Sequence, residues 1–89
     1  MVTKSVVQSN TELFLKDTLE EISRARKKHP GNAHLLVALM EEVGELAKSH
    51  LEGESPERIW SEAKQVACIA ARIAVESDRD FERATHDRN

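Results

Sequence analysis

The sequence predicts an all-α fold, a small bundle of three main helices, and three observations carry that prediction. Apolar residues recur three and four apart, and β-branched residues nowhere alternate as they would in a strand. Glycine and proline gather at Pro30-Gly31 and at Gly53 to Pro56, dividing the chain into three periodic stretches. Ala, Leu, Glu, Lys and Arg dominate, as in helical domains. The 89 residues suffice for a single domain, 1–89, with residues 1–9 and 79–89 as flexible or oligomer-contacting arms. A chain this short has little core, and its one cysteine cannot form an internal disulfide. Stability must come from well-packed helices or from burying a face against another copy, and assembly into a larger oligomeric bundle is expected.

The first helix is expected behind residues 1–8, which show no period. Ser9 with Glu12 three residues on reads as a capping box. Phe14, Leu15, Thr18, Leu19, Ile22 and Ala25 share one side at 100° per residue. Arg24, Arg26, Lys27 and Lys28 complement the dipole in the last turn, and His29-Pro30-Gly31 ends the helix. Asn32 is the expected N-cap of the second helix, which runs to about Leu51 and stops near Gly53. Ser55-Pro56-Glu57 then supplies an N-cap, a first-position proline and a first-turn acid for a third helix reaching about Ser77. Ala63, Ala67, Ala70, Ala71 and Ala74 give that helix a smooth face for close contact. The charged tail adds a short C-terminal helix around Phe81 or frays.

Composition excludes several functions. A net charge of -3 and 3% aromatic residues argue against a nucleic-acid polymer as partner. No apolar run is long enough to span a bilayer, and residues 1–10 lack a signal peptide's apolar core, so a soluble cytoplasmic protein is expected. A free Cys68 agrees with reducing conditions.

The second helix carries the chemistry. Across residues 35–47 the only polar side chains are Glu41, Glu42 and Glu45, with no basic residue before Lys48. A solvated helix face normally mixes both signs. With Leu35 at 0°, the apolar stripe covers about 0° to 160°, and Glu42 at about 340° borders it. Glu45 lies at about 280° and Glu41 at about 240°, an i,i+4 like-charge pair that a cation would relieve. On the third helix Glu62 is bracketed by Ile69 and Ile73, with Gln65 and Arg72 beside it. Antiparallel packing of the two helices lets Glu42, Glu45 and Glu62 converge. Convergent buried carboxylates are either neutralised or metal-bound, and an all-oxygen set suits Mg²⁺ or Mn²⁺. The plain alternative is that these glutamates are ordinary surface charges.

Glu42-Val43-Gly44-Glu45 followed by Glu62-Ala63-Lys64-Gln65 resembles the signature of the MazG-like all-α nucleotide pyrophosphohydrolases: E-x-x-E on one helix, a spacer, then E-x-x-D on the next. The stretch from His29-Pro30-Gly31-Asn32 through Leu46-Ala47 also resembles the dCTP pyrophosphatase branch. The likeness covers residues 19–75. It implies Mg²⁺-dependent hydrolysis of an NTP or dNTP to the monophosphate and pyrophosphate in nucleotide-pool house-cleaning. The metal would be held by Glu42, Glu45 and Glu62, with Glu41 as general base or outer-shell group, in a homodimer or homotetramer. Gln65 stands where the family has aspartate; its amide offers an oxygen but no charge. That departure keeps open a non-catalytic nucleotide-binding relative, and the alanine face keeps open a purely structural oligomerisation module.

The remaining candidates each have a plain reading. Arg72 could bind phosphate or orient Glu62, or simply pair with an acid. Lys28, with Lys27, could reach a triphosphate, or only complement the helix dipole. His34 and His50 have no partner at metal spacing. Trp60 falls on the apolar face of the third helix, suited to core or interface packing. Cys68 points away from the main apolar centre, and no chemistry is expected of it.

Overall fold

A computed structural model describes residues 5–80. It contains three helices, α1 (Val6–Lys28), α2 (Leu35–Leu51) and α3 (Pro56–Glu76), and no strand among the described residues. The expected short helix around Phe81 lies outside them. Helix α3 is the centre: α1 packs on it from one side and α2 from another, and α1 does not pack on α2. Asp17 meets Trp60 near the start of α3 and Arg26 meets Glu76 at its end, so α1 and α3 run parallel. The N-terminus of α2 meets the C-terminal end of α3, so those two run antiparallel.

Two of the expected boundaries move. Helix α1 starts four residues before Ser9, at the N-cap Ser5, whose hydroxyl accepts from the Gln8 backbone N–H at 3.0 Å. Ser5 and Gln8 have the same capping-box spacing as Ser9 and Glu12, and the earlier pair wins because the helix can extend to it. Residues 6–9 therefore belong to the helix and not to an arm. Helix α2 starts three residues after Asn32. Asn32 instead donates its side-chain amide to the Glu76 carbonyl at 2.8 Å, and the α2 N-terminus is capped in trans by Asp78, which accepts from the Leu36 N–H at 2.6 Å. His34, at φ 60, precedes the helix without a side-chain cap of its own. Asp78 reaches back because Ser77 turns the chain at φ 63, a conformation that favours glycine.

The other signals act where they were expected. The His29 N–H bonds to the Ala25 carbonyl as α1 ends. At the end of α2, Gly53 adopts φ 66, its N–H bonds to His50, and the Glu54 N–H bonds to Ser49; this is a Schellman closure. Ser55 caps α3 through the Arg58 N–H at 3.2 Å, with Pro56 at the first position.

The core is thin. Ile22, Leu35 and Cys68 are its buried apolar side chains, while Leu15, Leu19, Leu36, Val37, Met40 and Val43 stay exposed. On α1, Phe14, Thr18, Ile22 and Ala25 turn toward α3, and Leu15 and Leu19 from the same predicted stripe do not. Cys68 is the most buried of all at 1% exposure, the reverse of the outward position expected for it. Its wheel position lies between the two flanking helices, so both cover it. Trp60 lies between α1 and α3. It donates to Asp17 at 2.9 Å and stacks edge-on against Phe14 with centroids 5.1 Å apart.

Candidate functional site

Helix α2 lays one side on α3. Leu35, Ala38, Leu39, Glu42, Leu46 and Ser49 are the positions withdrawn from solvent, and they share a narrow arc of the helix. Glu42 therefore sits within the packing face rather than at the border of the apolar stripe. The stripe is wider than a single neighbouring helix can cover, and α3 takes the edge that contains Glu42.

On the facing side of α3, Glu62 is 12% exposed. The two carboxyl groups are within hydrogen-bonding reach of one another. Burial comes first in holding the Glu42 pKa above the ordinary glutamate value, followed by the charges of Glu62 and Glu45, the hydrogen bond to Glu62, and the charge of Glu41. Arg58 partly balances Glu62 through an ion pair at 3.2 Å from the exposed rim, one helical turn back. Among the described residues no basic side chain pairs with Glu42. A cleft of about 390 Å³ opens beside Glu42, with Ala38, Glu42, Gln65, Cys68, Ile69 and Arg72 in its wall and Glu62 outside it.

The other expected residues are placed as follows. Glu45 and Glu41 are exposed on α2. Glu45 acts on Glu42 through charge, and Glu41 does so more weakly. Among the described residues no three His, Cys, Asp or Glu side chains are gathered closely enough to hold a metal ion. Gln65 reaches the cleft but also supports the charge of Glu21 on α1 by hydrogen bonding. Lys28 is exposed in the last turn of α1. Arg72 is 3% exposed and already engaged. Its guanidinium donates to Glu76 at 2.9 and 3.1 Å and to the carbonyls of His29 and Gly31 at 3.1 and 2.7 Å. It clamps the α1–α2 turn onto α3, the acid-pairing alternative in its strongest form. The Glu76 carboxylate, shared with Arg26 at 2.9 Å, is held down to about 2, chiefly by the Arg72 hydrogen bonds.

Sequence reasoning passed over a second acidic set. Asp17 and Glu21 on α1 face Lys64 of α3 at 3.6 and 3.8 Å. The Trp60 indole N–H does most to lower the Asp17 pKa, and Arg24, at 2.8 Å, does most to lower that of Glu21. The available signal was the i,i+4 spacing of Asp17 and Glu21, which puts both on the α3 side of α1.

The oxygen donors suit a hard divalent cation in kind: a half-buried Glu42–Glu62 pair, a third carboxylate, Glu45, one turn along α2, and the Gln65 amide oxygen in the wall. Comparison with known proteins finds no matching family model, no matching curated protein and no matching solved structure.

Proposed function

We propose that this chain is a Mg²⁺-dependent nucleotide pyrophosphohydrolase, cleaving an NTP or dNTP to the monophosphate and pyrophosphate. The observation that carries the reading is the Glu42–Glu62 pair, two carboxyls facing one another, with Glu42 in the wall of a cleft and no basic partner for it among the described residues. Glu42 and Glu62 would hold the ion, with Glu45 turned in from the next turn of α2 and the Gln65 amide oxygen as a neutral neighbour. When bound, Mg²⁺ (or Mn²⁺) polarises phosphate oxygens and neutralises the charge that develops as water attacks. The chain's own part is to keep the paired carboxylates on two rigid helices and to offer apolar walls, Ala38 and Ile69, to the rest of the substrate. Glu41, exposed on α2, contributes charge at the rim or takes up a proton there. Lys28, exposed at the end of α1, attracts the triphosphate. Arg72 supports the site by fixing the α1–α2 turn. The working form is a homodimer or homotetramer in the cytoplasm, serving nucleotide-pool house-cleaning.

Pyrophosphate release, measured over a panel of NTPs and dNTPs with Mg²⁺, tests the proposal. Turnover that falls at least a hundredfold in Glu42→Gln supports it. Turnover no greater than that of Glu42→Gln sinks it.

A second reading, a non-catalytic nucleotide-binding relative, is favoured by one observation: Gln65, a neutral residue in the wall, is partly engaged by Glu21. Under it, Gln65→Asp should strengthen Mg²⁺ binding by supplying the absent charge. No gain in affinity counts against it.

A further inference from the structure

Helix α2 is apolar on two sides, and α3 covers only one. Leu36, Val37, Met40, Val43 and Leu51 turn away from α3, with exposures from 41% at Val43 to 85% at Leu51. Among the described residues nothing covers them, because α2 packs on α3 alone. An apolar arc wider than one neighbour can cover leaves its remainder for a second partner. The outward set has coiled-coil spacing: Val37, Met40, Gly44, Ala47 and Leu51 are three, four, three and four apart. Gly44 is at its middle, and nothing lies within 4 Å of where its Cβ would stand, so a second helix can approach closely there.

We propose that this face binds a second copy of the chain, α2 against α2, antiparallel, about a two-fold axis between Gly44 and Glu45. Charge selects the occupant. With Leu35 at 0°, Lys48 and Glu41 border the outward face on the same flank, at about 220° and about 240°. A two-fold axis brings that flank of one helix beside the same flank of the other in reverse order. Lys48 of each copy then lies opposite Glu41 of the other, giving two ion pairs. Met40 and Val37 of one copy meet the region of Ala47 and Leu51 in the other. A parallel pairing, with its axis along the helices, would set Glu41 and Lys48 beside the opposite flank of the second copy, where Leu36 and Val43 offer no charge. The stripe and its flank are complementary to themselves in one direction only, which is the property of a homodimer contact. The inference deepens the proposed oligomeric form by naming its contact and does not depend on the hydrolysis, since Glu42 lies on the α3 side of the helix.

Sedimentation equilibrium of the full chain tests the contact. The wild type should have twice the 10.0 kDa chain mass. Met40→Lys should be monomeric with its helical circular dichroism retained, because Met40 is 63% exposed in the single chain. Glu41→Lys and Lys48→Glu should each weaken the dimer roughly fivefold, and the double exchange should restore it to within about twofold. A monomeric wild type, a dimer indifferent to Met40→Lys, or a double exchange no tighter than either single one overturns the proposal. Mass is the readout, so the contact stands or falls separately from pyrophosphate release.

Discussion

Helix α3 has a carboxylate cluster on each flank, and the two behave oppositely. On the α1 side, Asp17, Glu21 and Glu76 are matched by Lys64, Arg24, Arg26 and Arg72, and all three have lowered pKa values. On the α2 side, Glu42 faces Glu62, has no basic partner among the described residues, and has a raised pKa. Both clusters combine carboxylates of α3 with those of a helix packed against it, so the difference lies in the supply of cations. The α1 seam is complete within the chain and reads as structure. The α2 seam lacks positive charge at its inner end, and a group left in that condition is a candidate for binding something.

The largest effect should come from breaking the matched seam at Arg72. Arg72→Met leaves the Glu76 carboxylate and the carbonyls of His29 and Gly31 without their shared donor. Removing one member of a buried ion pair costs about 3–5 kcal/mol, so urea denaturation should show a correspondingly lower midpoint. A loss under 1 kcal/mol would mean that the clamp is replaceable. Next comes the unmatched seam. Under the proposed function, Mg²⁺ at a hundred times its Kd adds about 2.7 kcal/mol, roughly a 10–20 °C rise in melting temperature for a domain of this size. Glu42→Gln should abolish the rise. If the melting temperature is indifferent to Mg²⁺, the α2 seam is not a metal site.

Proton linkage separates the seams further. Glu42 titrates higher in the folded chain than its ordinary 4.5, so the folded state binds the proton more tightly. Its contribution is fully present below 4.5 and is lost as pH rises through the folded value. Glu76 is the reverse: its contribution is present above 4.5 and is lost as pH falls toward about 2. Denaturation midpoints measured across pH should therefore rise in Glu42→Gln relative to wild type only on the alkaline side. In Glu76→Gln they should fall relative to wild type above 4.5 and converge with it in acid. A Glu42→Gln curve parallel to wild type would mean that Glu42 is not paired with Glu62.

The helices were legible because their signals are local. Pro30-Gly31, Gly53 and Ser55-Pro56 each act within a turn of themselves, and all three boundaries formed there. The α2 N-cap was not legible, because Asp78 comes from the far end of the next helix and no spacing rule links it to Leu36. Glu42 and Glu62 were legible as a pair, since each falls among apolar side chains on facing helices. The depth of Glu42 was not, because a wheel shows how wide an apolar arc is but not which part of it a neighbour takes. Arg72 could not be separated from a phosphate ligand by sequence, since its carbonyl partners lie in a turn whose path only the fold determines. Cys68 was misplaced for a related reason: a position flanked by two helices looks marginal when only one is considered.

The smallest effect tests whether the matched seam owes its lowered pKa values to its cations. Lys64 is 16% exposed at the side chain and lies between Asp17 and Glu21. Lys64→Met keeps much of the stem's packing and removes the charge. The expected loss of stability is small, because the pair is not fully withdrawn from water. The clearer readout is carboxyl titration by NMR. Glu21 should stay below its ordinary value, because Arg24 is the first cause of its shift. Asp17 should also stay low, because the Trp60 indole N–H remains. Both should move up slightly and stay below their ordinary values. If either rose as Glu42 does, a single lysine would account for the contrast between the seams. The α1 side would then be another site short of charge, not a completed network.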